Sequence, residues 1–174
     1  MPANFSGLVD SSIYSYNKAL TLVGEVNANN AYTHISINTN KSSELRKIYR
    51  LEEAFDEISK NDSIIKSFNL DLNDQQVLNS MFEMALVKRD LGKSNDALTL
   101  LRKIKAIESQ KYDRNHITSA YNHYSISETF YQIGQYDSAL FHLLSAYHIT
   151  ENQETDFSNY MILLDRKLGD IKSE

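Results

Sequence analysis

The chain contains no cysteine, which excludes disulfide bonds, thiolate metal sites and cysteine nucleophiles. Tryptophan is also absent, and the whole chain has 1 proline and 5 glycines. A fold of many short strands needs more turn residues, so this scarcity favours long helices. No apolar run approaches the roughly 18 residues that a membrane span requires. The opening residues 1–7 lack the charged and apolar segments of a signal peptide.

Positive charge is also scarce, with 18 Lys and Arg against 23 Asp and Glu, a net charge of −5. Nucleic-acid binding requires Lys and Arg to be brought to phosphates. The one dense basic cluster, Arg102, Lys103 and Lys105, alternates with apolar residues, which predicts the solvated face of a helix. We therefore expect no nucleic-acid partner and no membrane span. The expected setting is cytoplasmic, or periplasmic if a signal peptide has been removed.

Motifs that carry chemistry are missing. A metal site on a helix needs His residues three or four apart, and none of the five has that spacing: His34, His116, His123, His142 and His148. There is no glycine-rich phosphate loop, no Gly-x-Ser-x-Gly and no kinase signature. The acidic run Glu52, Glu53, Asp56 and Glu57 fits the polar face of a helix. We expect no metal, no cofactor and no enzyme activity.

A pair of adjacent helices is predicted over 116–151. In Ile117–Ile133 the large and small apolar residues recur every three or four positions, which is typical of one helix face. Gly134 ends that helix, and a second follows at once with Ala139, Leu143 and Ala146 on one side. So short a connection predicts an antiparallel helical hairpin.

The same pattern occurs elsewhere in the chain. Residues 73–109 form a second copy: Asn73 and Gln76 fit a capping box, Gly92 ends the first helix, and Ala97 and Leu101 lie in the second. Residues 154–174 begin a third copy that ends soon after Gly169. The interval from Gly134 to Gly169 is 35 residues (169 − 134), close to a known repeat length of about 34. The interval from Gly92 to Gly134 is 42 residues (134 − 92), and the polar connector 108–115 accounts for the extra length.

These features resemble the tetratricopeptide repeat family, in divergent form. Its second helices carry a small, a bulky and another small residue, where this chain has Ala139, Leu143 and Ala146. The copy at Ala97 and Leu101 departs from the pattern, with Ile104 where alanine is usual. The resemblance implies an all-α fold of antiparallel helix-pair repeats stacked as a right-handed α-solenoid, one tetratricopeptide-like domain over 1–174.

The N-terminal part fits the family less closely. Residues 7–26 match the second helix of a partial repeat that follows a turn at Gly7. Residues 27–42 are rich in Asn, Ser and Thr and are predicted to form a polar loop. Residues 43–72 are predicted to be a degenerate repeat, with one helix over 43–59 and a short one over 62–68. Because both ends resemble incomplete repeats, we expect a segment of a longer, bacterial array protein.

The resemblance implies a non-catalytic module that binds a protein or peptide of unknown identity on the concave face formed by the first helices. The positions that line this face are Asn79, Phe82, Arg89, Tyr121, Tyr124, Glu128, Tyr131, Asn159 and Arg166. The basic clamp of the chaperone-binding branch is absent, since Phe82, Leu86, Tyr124 and Glu128 occupy its positions. One alternative is a sensor or dimerisation segment of a bacterial histidine kinase or transcription factor. In that case the chain would form a homo-oligomer. A weaker one is a helical enzyme without a recognisable motif.

Overall fold

The computed structural model describes residues 3–113, 116–151 and 169, and the side chains within them from residue 10 onward. These residues form seven α-helices and no strand, so the predicted all-α fold class is confirmed. The predicted incomplete repeat over 154–174 lies outside the described residues except for Gly169. The helices are α1 (Ala3–Val23), α2 (Ala31–Lys47), α3 (Leu51–Ser67), α4 (Gln75–Asp90), α5 (Ser94–Lys111), α6 (Ile117–Gln132) and α7 (Tyr136–Glu151).

The helices fall into two compact units, where the sequence predicted one domain. The first unit, Met1–Gly92, contains α1 to α4, and the second, Lys93–Glu174, contains α5 to α7. Within the first unit, α2 packs against α1, α3 and α4, and α3 packs against α4. Within the second unit, α6 packs against both α5 and α7.

The predicted polar loop over 27–42 is wrong, because most of this stretch belongs to α2. Its Asn, Ser and Thr residues have weak helix propensity, but packing overrides propensity when one face is buried. Ile35 is fully buried, and the polar residues beside it bond to α3. Asn38 donates to Asn61 over 2.9 Å, and Ser42 donates to the carbonyl of Ala54 over 3.0 Å. The polar residues therefore join two helices.

The other predicted boundaries in the first unit also shift. Helix α1 continues through Gly7, which was predicted to be a turn. The predicted helix over 43–59 is interrupted, because α2 ends at Lys47 and α3 begins at Leu51. The short helix predicted over 62–68 is the last part of α3. The cap of α4 is Asp74, one residue after the predicted Asn73, and its carboxylate accepts from the amides of Gln76 and Val77.

The turn between α2 and α3 contains a strained tyrosine. The Arg50 amide donates to the Leu45 carbonyl and the Tyr49 amide to that of Arg46, which is the Schellman pattern of a helix end. This pattern places Tyr49 in the left-handed region, with φ of 61°. Glycine usually occupies that position because a Cβ costs about 1 kcal/mol there. Gly134, with φ of 73°, occupies it at the end of α6.

Tyr49→Gly should therefore stabilise the chain. The tyrosine side chain is 73% exposed, so its removal sacrifices little packing. Tyr49→Ala is the matched control, since it removes the ring but keeps a Cβ on the strained backbone. We expect the free energy of unfolding of Tyr49→Gly to exceed that of Tyr49→Ala by about 1 kcal/mol in urea denaturation. Equal stabilities of the two variants would mean that the backbone is not strained at Tyr49.

The second unit agrees closely with the pattern in the sequence. Helix α6 ends at Gln132, and the Gln135 amide donates to the Phe130 carbonyl to close a Schellman turn around Gly134. The small residues Ala139 and Ala146 of α7 are both fully buried. Small side chains at these points let helix axes approach closely, as the family resemblance implies.

Candidate functional site

The predicted binding residues that the structure describes lie on two helices, α4 and α6. Asn79, Phe82 and Arg89 are on α4, in the first unit. The α6 residues, in the second unit, are Tyr121, Tyr124, Glu128 and Tyr131. Asn159 and Arg166 lie outside the described residues. The candidate site therefore consists of one surface on each unit.

On the first unit, a hollow of about 160 Å³ opens between α2 and α4. Asn79 lines it, as a predicted site residue. The other lining residues were missed from the sequence, because three of them lie in the stretch predicted to be a loop. The full lining is Ser36, Thr39 and Asn40 from α2, with Gln76 and Asn79 from α4.

The hollow presents neutral hydrogen-bonding groups. In the described part of the chain, the side chains of Ser36, Asn40 and Gln76 have no hydrogen-bond partner. Asn79 accepts from Gln75 over 2.9 Å through its oxygen, which leaves its amide nitrogen free to donate. A carboxamide can donate to one atom and accept from another, so these groups match a peptide bond.

The Thr39 hydroxyl, by contrast, already has hydrogen-bond partners within the protein. Its hydroxyl donates to the Ile35 carbonyl over 2.7 Å and accepts from Asn61 over 3.1 Å. Asn61 is buried on α3, and it also donates to Ser80 of α4 over 2.9 Å. One asparagine thus bonds to both helices that border the hollow and holds their spacing.

Beyond the hollow, a group of charged side chains joins the same two helices. Arg46 of α2 contacts Glu83 over 2.9 Å and Asp90 over 3.2 Å, both on α4. Arg89, a predicted binding residue, directs its guanidinium to Asp90 over 2.9 Å. Burial raises the pKa of Glu83, and the charge of Arg46 only partly opposes that rise. The phenyl ring of Phe82 is half-buried.

On the second unit, the predicted residues form the accessible stripe of α6. Tyr121 is 43% exposed, and Tyr124, Glu128 and Tyr131 are half-buried. Most of the remaining side chains of α6 are buried. The ring of Tyr131 contacts that of Tyr136, with centroids 5.5 Å apart. The stripe therefore presents three tyrosine side chains on a helix whose other side chains are mostly buried.

A cluster of cationic and imidazole groups in the second unit was missed from the sequence. Nδ1 of His123 on α6 lies 3.0 Å from Nδ1 of His142 on α7, and Nε2 of His123 lies 2.9 Å from Nζ of Lys105 on α5. The spacing of these histidines along the chain gives no sign of the contact, because it forms between helices. Lys105 was predicted to lie on a solvated face, but it is half-buried.

Acid should destabilise the second unit through these histidines. Burial first, and then the neighbouring Lys105, lowers the pKa of both His123 and His142 from 6.5 to about 4. Because the pKa is lower in the folded state, the stabilisation is complete above pH 6.5 and disappears as the pH falls from 6.5 towards about 4. Allowing for solvent screening, we expect a combined loss of about 2 kcal/mol.

Urea denaturation at about pH 7 and about pH 5 would measure this loss, since these values lie on either side of most of the transition. His148, exposed on α7, provides the matched control. We expect His148→Gln to lose stability in acid as the parent does, and the double variant His123→Gln, His142→Gln to lose clearly less. If the double variant lost as much as the parent, carboxylates elsewhere would have to explain the acid sensitivity.

Neither a metal site nor a membrane-spanning helix is found in the described ranges 3–113 and 116–151. No group of three or more His, Cys, Asp or Glu residues there could hold a metal ion. No helix in those ranges is both long enough and apolar enough to cross a membrane.

Known proteins resemble this chain in sequence over part of its length and in fold over most of it. The tetratricopeptide repeat family model matches residues 76–152, from the second residue of α4 to beyond the end of α7. A search of curated proteins finds no match.

Two similar crystal structures contain the nearly identical TPR-like repeats of a Podosopora anserina protein described as a kinesin light chain. The first has a TM-score of 0.69 at 16% identity and covers 77% of this chain and 63% of its own. The second, a single-substitution variant, has a TM-score of 0.71 at 15% identity and covers 82% and 66%. This chain therefore spans just under two thirds of either structure, and the likeness concerns the fold alone.

Proposed function

We propose that this chain, which matches the tetratricopeptide repeat family model over residues 76–152, is a non-catalytic module that binds an extended peptide segment of a protein partner. Repeats of this family generally mediate protein–protein interaction, and their fold is typically a scaffold without catalytic activity. In the first unit, the binding surface is the hollow between α2 and α4. In the second, it is the tyrosine stripe of α6.

The hollow carries this proposal, because several of its polar side chains lie at an accessible surface without a partner in the described part of the chain. Asn40 and Gln76 are exposed, and neither side chain has a partner in the described part of the chain. The lining contains no charged residue. Neutral amides suit the N–H and C=O groups of an extended backbone, whereas a charged tail would require a counter-charge.

The tyrosine stripe supports the same function on the second unit. Tyrosine is enriched at binding hot spots because its rigid ring provides a large contact area and its hydroxyl provides a hydrogen bond. Tyr121 already exposes 43% of its surface, and Tyr124 and Tyr131 follow along the same side of α6. A bound peptide would bury these rings further.

The experiment begins with short unstructured peptides selected from a display library on the full chain. We expect the double variant Asn40→Ala, Asn79→Ala to weaken binding of the selected peptides about thirtyfold, since each of the two lost hydrogen bonds costs about 1 kcal/mol. Asn17→Ala is the matched control, because Asn17 is an exposed helical asparagine of the same unit outside the hollow. Binding would be measured by calorimetry and helicity by circular dichroism.

A second double variant, Tyr124→Ala with Tyr131→Ala, tests the stripe in the same way. A loss of peptide binding with unchanged helicity is the expected result. Selected peptides that bind both double variants as tightly as the parent would contradict the proposal, because neither surface would then take part in binding.

A further inference from the structure

The cationic cluster of the second unit lies on a different side of α6 from the tyrosine stripe. His123 and Phe130 on α6 are about a third of a turn around the helix from Tyr124 and Tyr131, at about 100° per residue. The Phe130 ring stacks on that of His142, with centroids 5.7 Å apart. The Arg102 guanidinium lies 5.9 Å from the Phe130 centroid. Three helices therefore contribute to this cluster.

The hydrogen bonds of the cluster run in one direction. The Lys105 ammonium has only donors, so Nε2 of His123 must accept from it. His123 consequently carries its proton on Nδ1 and donates it to Nδ1 of His142. His142 in turn holds its proton on Nε2, for which the structure shows no partner. The chain of bonds thus ends in an unused N–H on a half-buried ring.

No carboxylate among residues 3–113 and 116–151 balances the positive charge of this cluster. Arg102 contacts the Phe130 ring, and Lys105 contacts His123, but neither pairs with an acid in those ranges. In the first unit, by contrast, Arg46 lies beside two carboxylates. The nearby buried acid on α5 is Glu108, which bonds instead to Asn122. Within those ranges, the cluster therefore contains two cations and a free N–H donor and no paired anion.

We propose that Arg102 and His142 bind a phosphate group of a ligand, that Lys105 adds positive charge to the site, and that His123 positions the His142 ring for this contact. A phosphate has three strong acceptor oxygens and a charge near −2, whereas a carboxylate has two oxygens and a single charge. Guanidinium, ammonium and imidazole N–H groups are the donors that such oxyanions prefer. The site is separate from both peptide surfaces, so it does not depend on the proposed peptide-binding function.

The titratable groups around the two imidazoles fit this ligand. Arg102 and Lys105 on α5 face them, and each histidine faces the other across α6 and α7. Burial lowers the pKa of Lys105, and a bound anion would oppose that shift by stabilising its charged form. A bound phosphate should therefore favour the charged forms of Lys105 and of the two histidines, which burial now disfavours.

The test uses the full chain, with inorganic phosphate and acetate added separately near neutral pH at matched ionic strength. Long-range nitrogen–proton spectra would follow the imidazole signals of His123 and His142. We expect phosphate to shift the Nε2 signal of His142 at concentrations at which acetate does not. Arg102→Gln should lower phosphate affinity about tenfold, the size expected for one charge-assisted hydrogen bond.

Lys103→Gln is the matched control, because Lys103 is an exposed neighbour on α5 and this variant makes the same charge change. Arg102 is also exposed, so its replacement should leave the fold intact. An equal loss of affinity in both variants would overturn the proposal, since binding would then depend only on net charge. Equal shifts with acetate and phosphate, or unchanged imidazole signals with phosphate, would overturn it as well.

A short peptide containing phosphoserine, compared with inorganic phosphate, identifies the source of the group. At least about tenfold tighter binding of the peptide would indicate a phosphorylated protein partner. Equal affinities, each weakened by Arg102→Gln, would indicate a free phosphate ligand at the same site.

Discussion

Arg46→Met is expected to lower the free energy of unfolding by about 3–5 kcal/mol, the cost of leaving one partner of a buried ion pair uncompensated. Arg46 of α2 contacts both Glu83 and Asp90 of α4. The Glu83 side chain is 8% exposed, so it has little access to water that could replace the lost cation. Urea denaturation of the full chain, followed by circular dichroism, would measure the change.

The pH dependence of this variant separates lost charge pairing from lost packing. Burial already raises the pKa of Glu83, and removing Arg46 should raise it further. An acid whose pKa is raised in the folded state favours folding at low pH and loses that contribution as the pH rises through its folded pKa. The deficit of Arg46→Met should therefore be smaller at about pH 5 than at about pH 7.

Two further variants control the experiment. Lys47→Met removes the next basic residue, whose side chain is 51% exposed and pairs with Glu44 at the surface. It should cost no more than about 0.5 kcal/mol. Adding Glu83→Gln to Arg46→Met should recover more than half of the loss, because no buried charge at Glu83 then lacks a partner. If Lys47→Met were as destabilising as Arg46→Met, the buried charge would not be the cause.

Asn61→Ala is expected to cost about 2–4 kcal/mol, from unsatisfied buried groups together with a small cavity. Asn61 is fully buried and accepts from Asn38 over 2.9 Å. Its two amide N–H groups are shared among the Ile35 carbonyl at 3.1 Å, Thr39 at 3.1 Å and Ser80 at 2.9 Å. Its removal takes this partner away from the buried side chains of Asn38 on α2 and Ser80 on α4.

This loss should be local and should reach the binding surface. Thr39 lines the hollow, so Asn61→Ala removes a hydrogen bond that holds one side of the hollow in place. We expect hydrogen exchange to accelerate in α2 to α4, with α6 and α7 unchanged. The exposed control Asn17→Ala should change the unfolding free energy by less than about 0.5 kcal/mol. Equal effects of the two alanines would show that the buried network contributes no stability.

Part of the candidate surface could be predicted from the sequence and the rest could not, for one physical reason. The stripe on α6 could be predicted, because its residues lie on a single helix with a clear period. The α2 side of the hollow could not, because α2 is rich in Asn, Ser and Thr, which have weak helix propensity. Its helical state depends on bonds such as Asn38 to Asn61, which join residues distant in the chain.

The sequence by itself determined the all-α class, the turn at Gly134 that follows α6 and the small residues that α7 buries. Each of these follows from a local rule. Apolar residues recur with the helical period, a glycine commonly adopts the left-handed conformation after a helix, and small residues let two helix axes approach closely. Tertiary structure alone decided that a polar segment becomes α2, that Asn79 faces a hollow, and that His123 meets His142. Such contacts depend on the distances between packed helices, and the chemical nature of a residue along the chain does not specify which distant group it will meet.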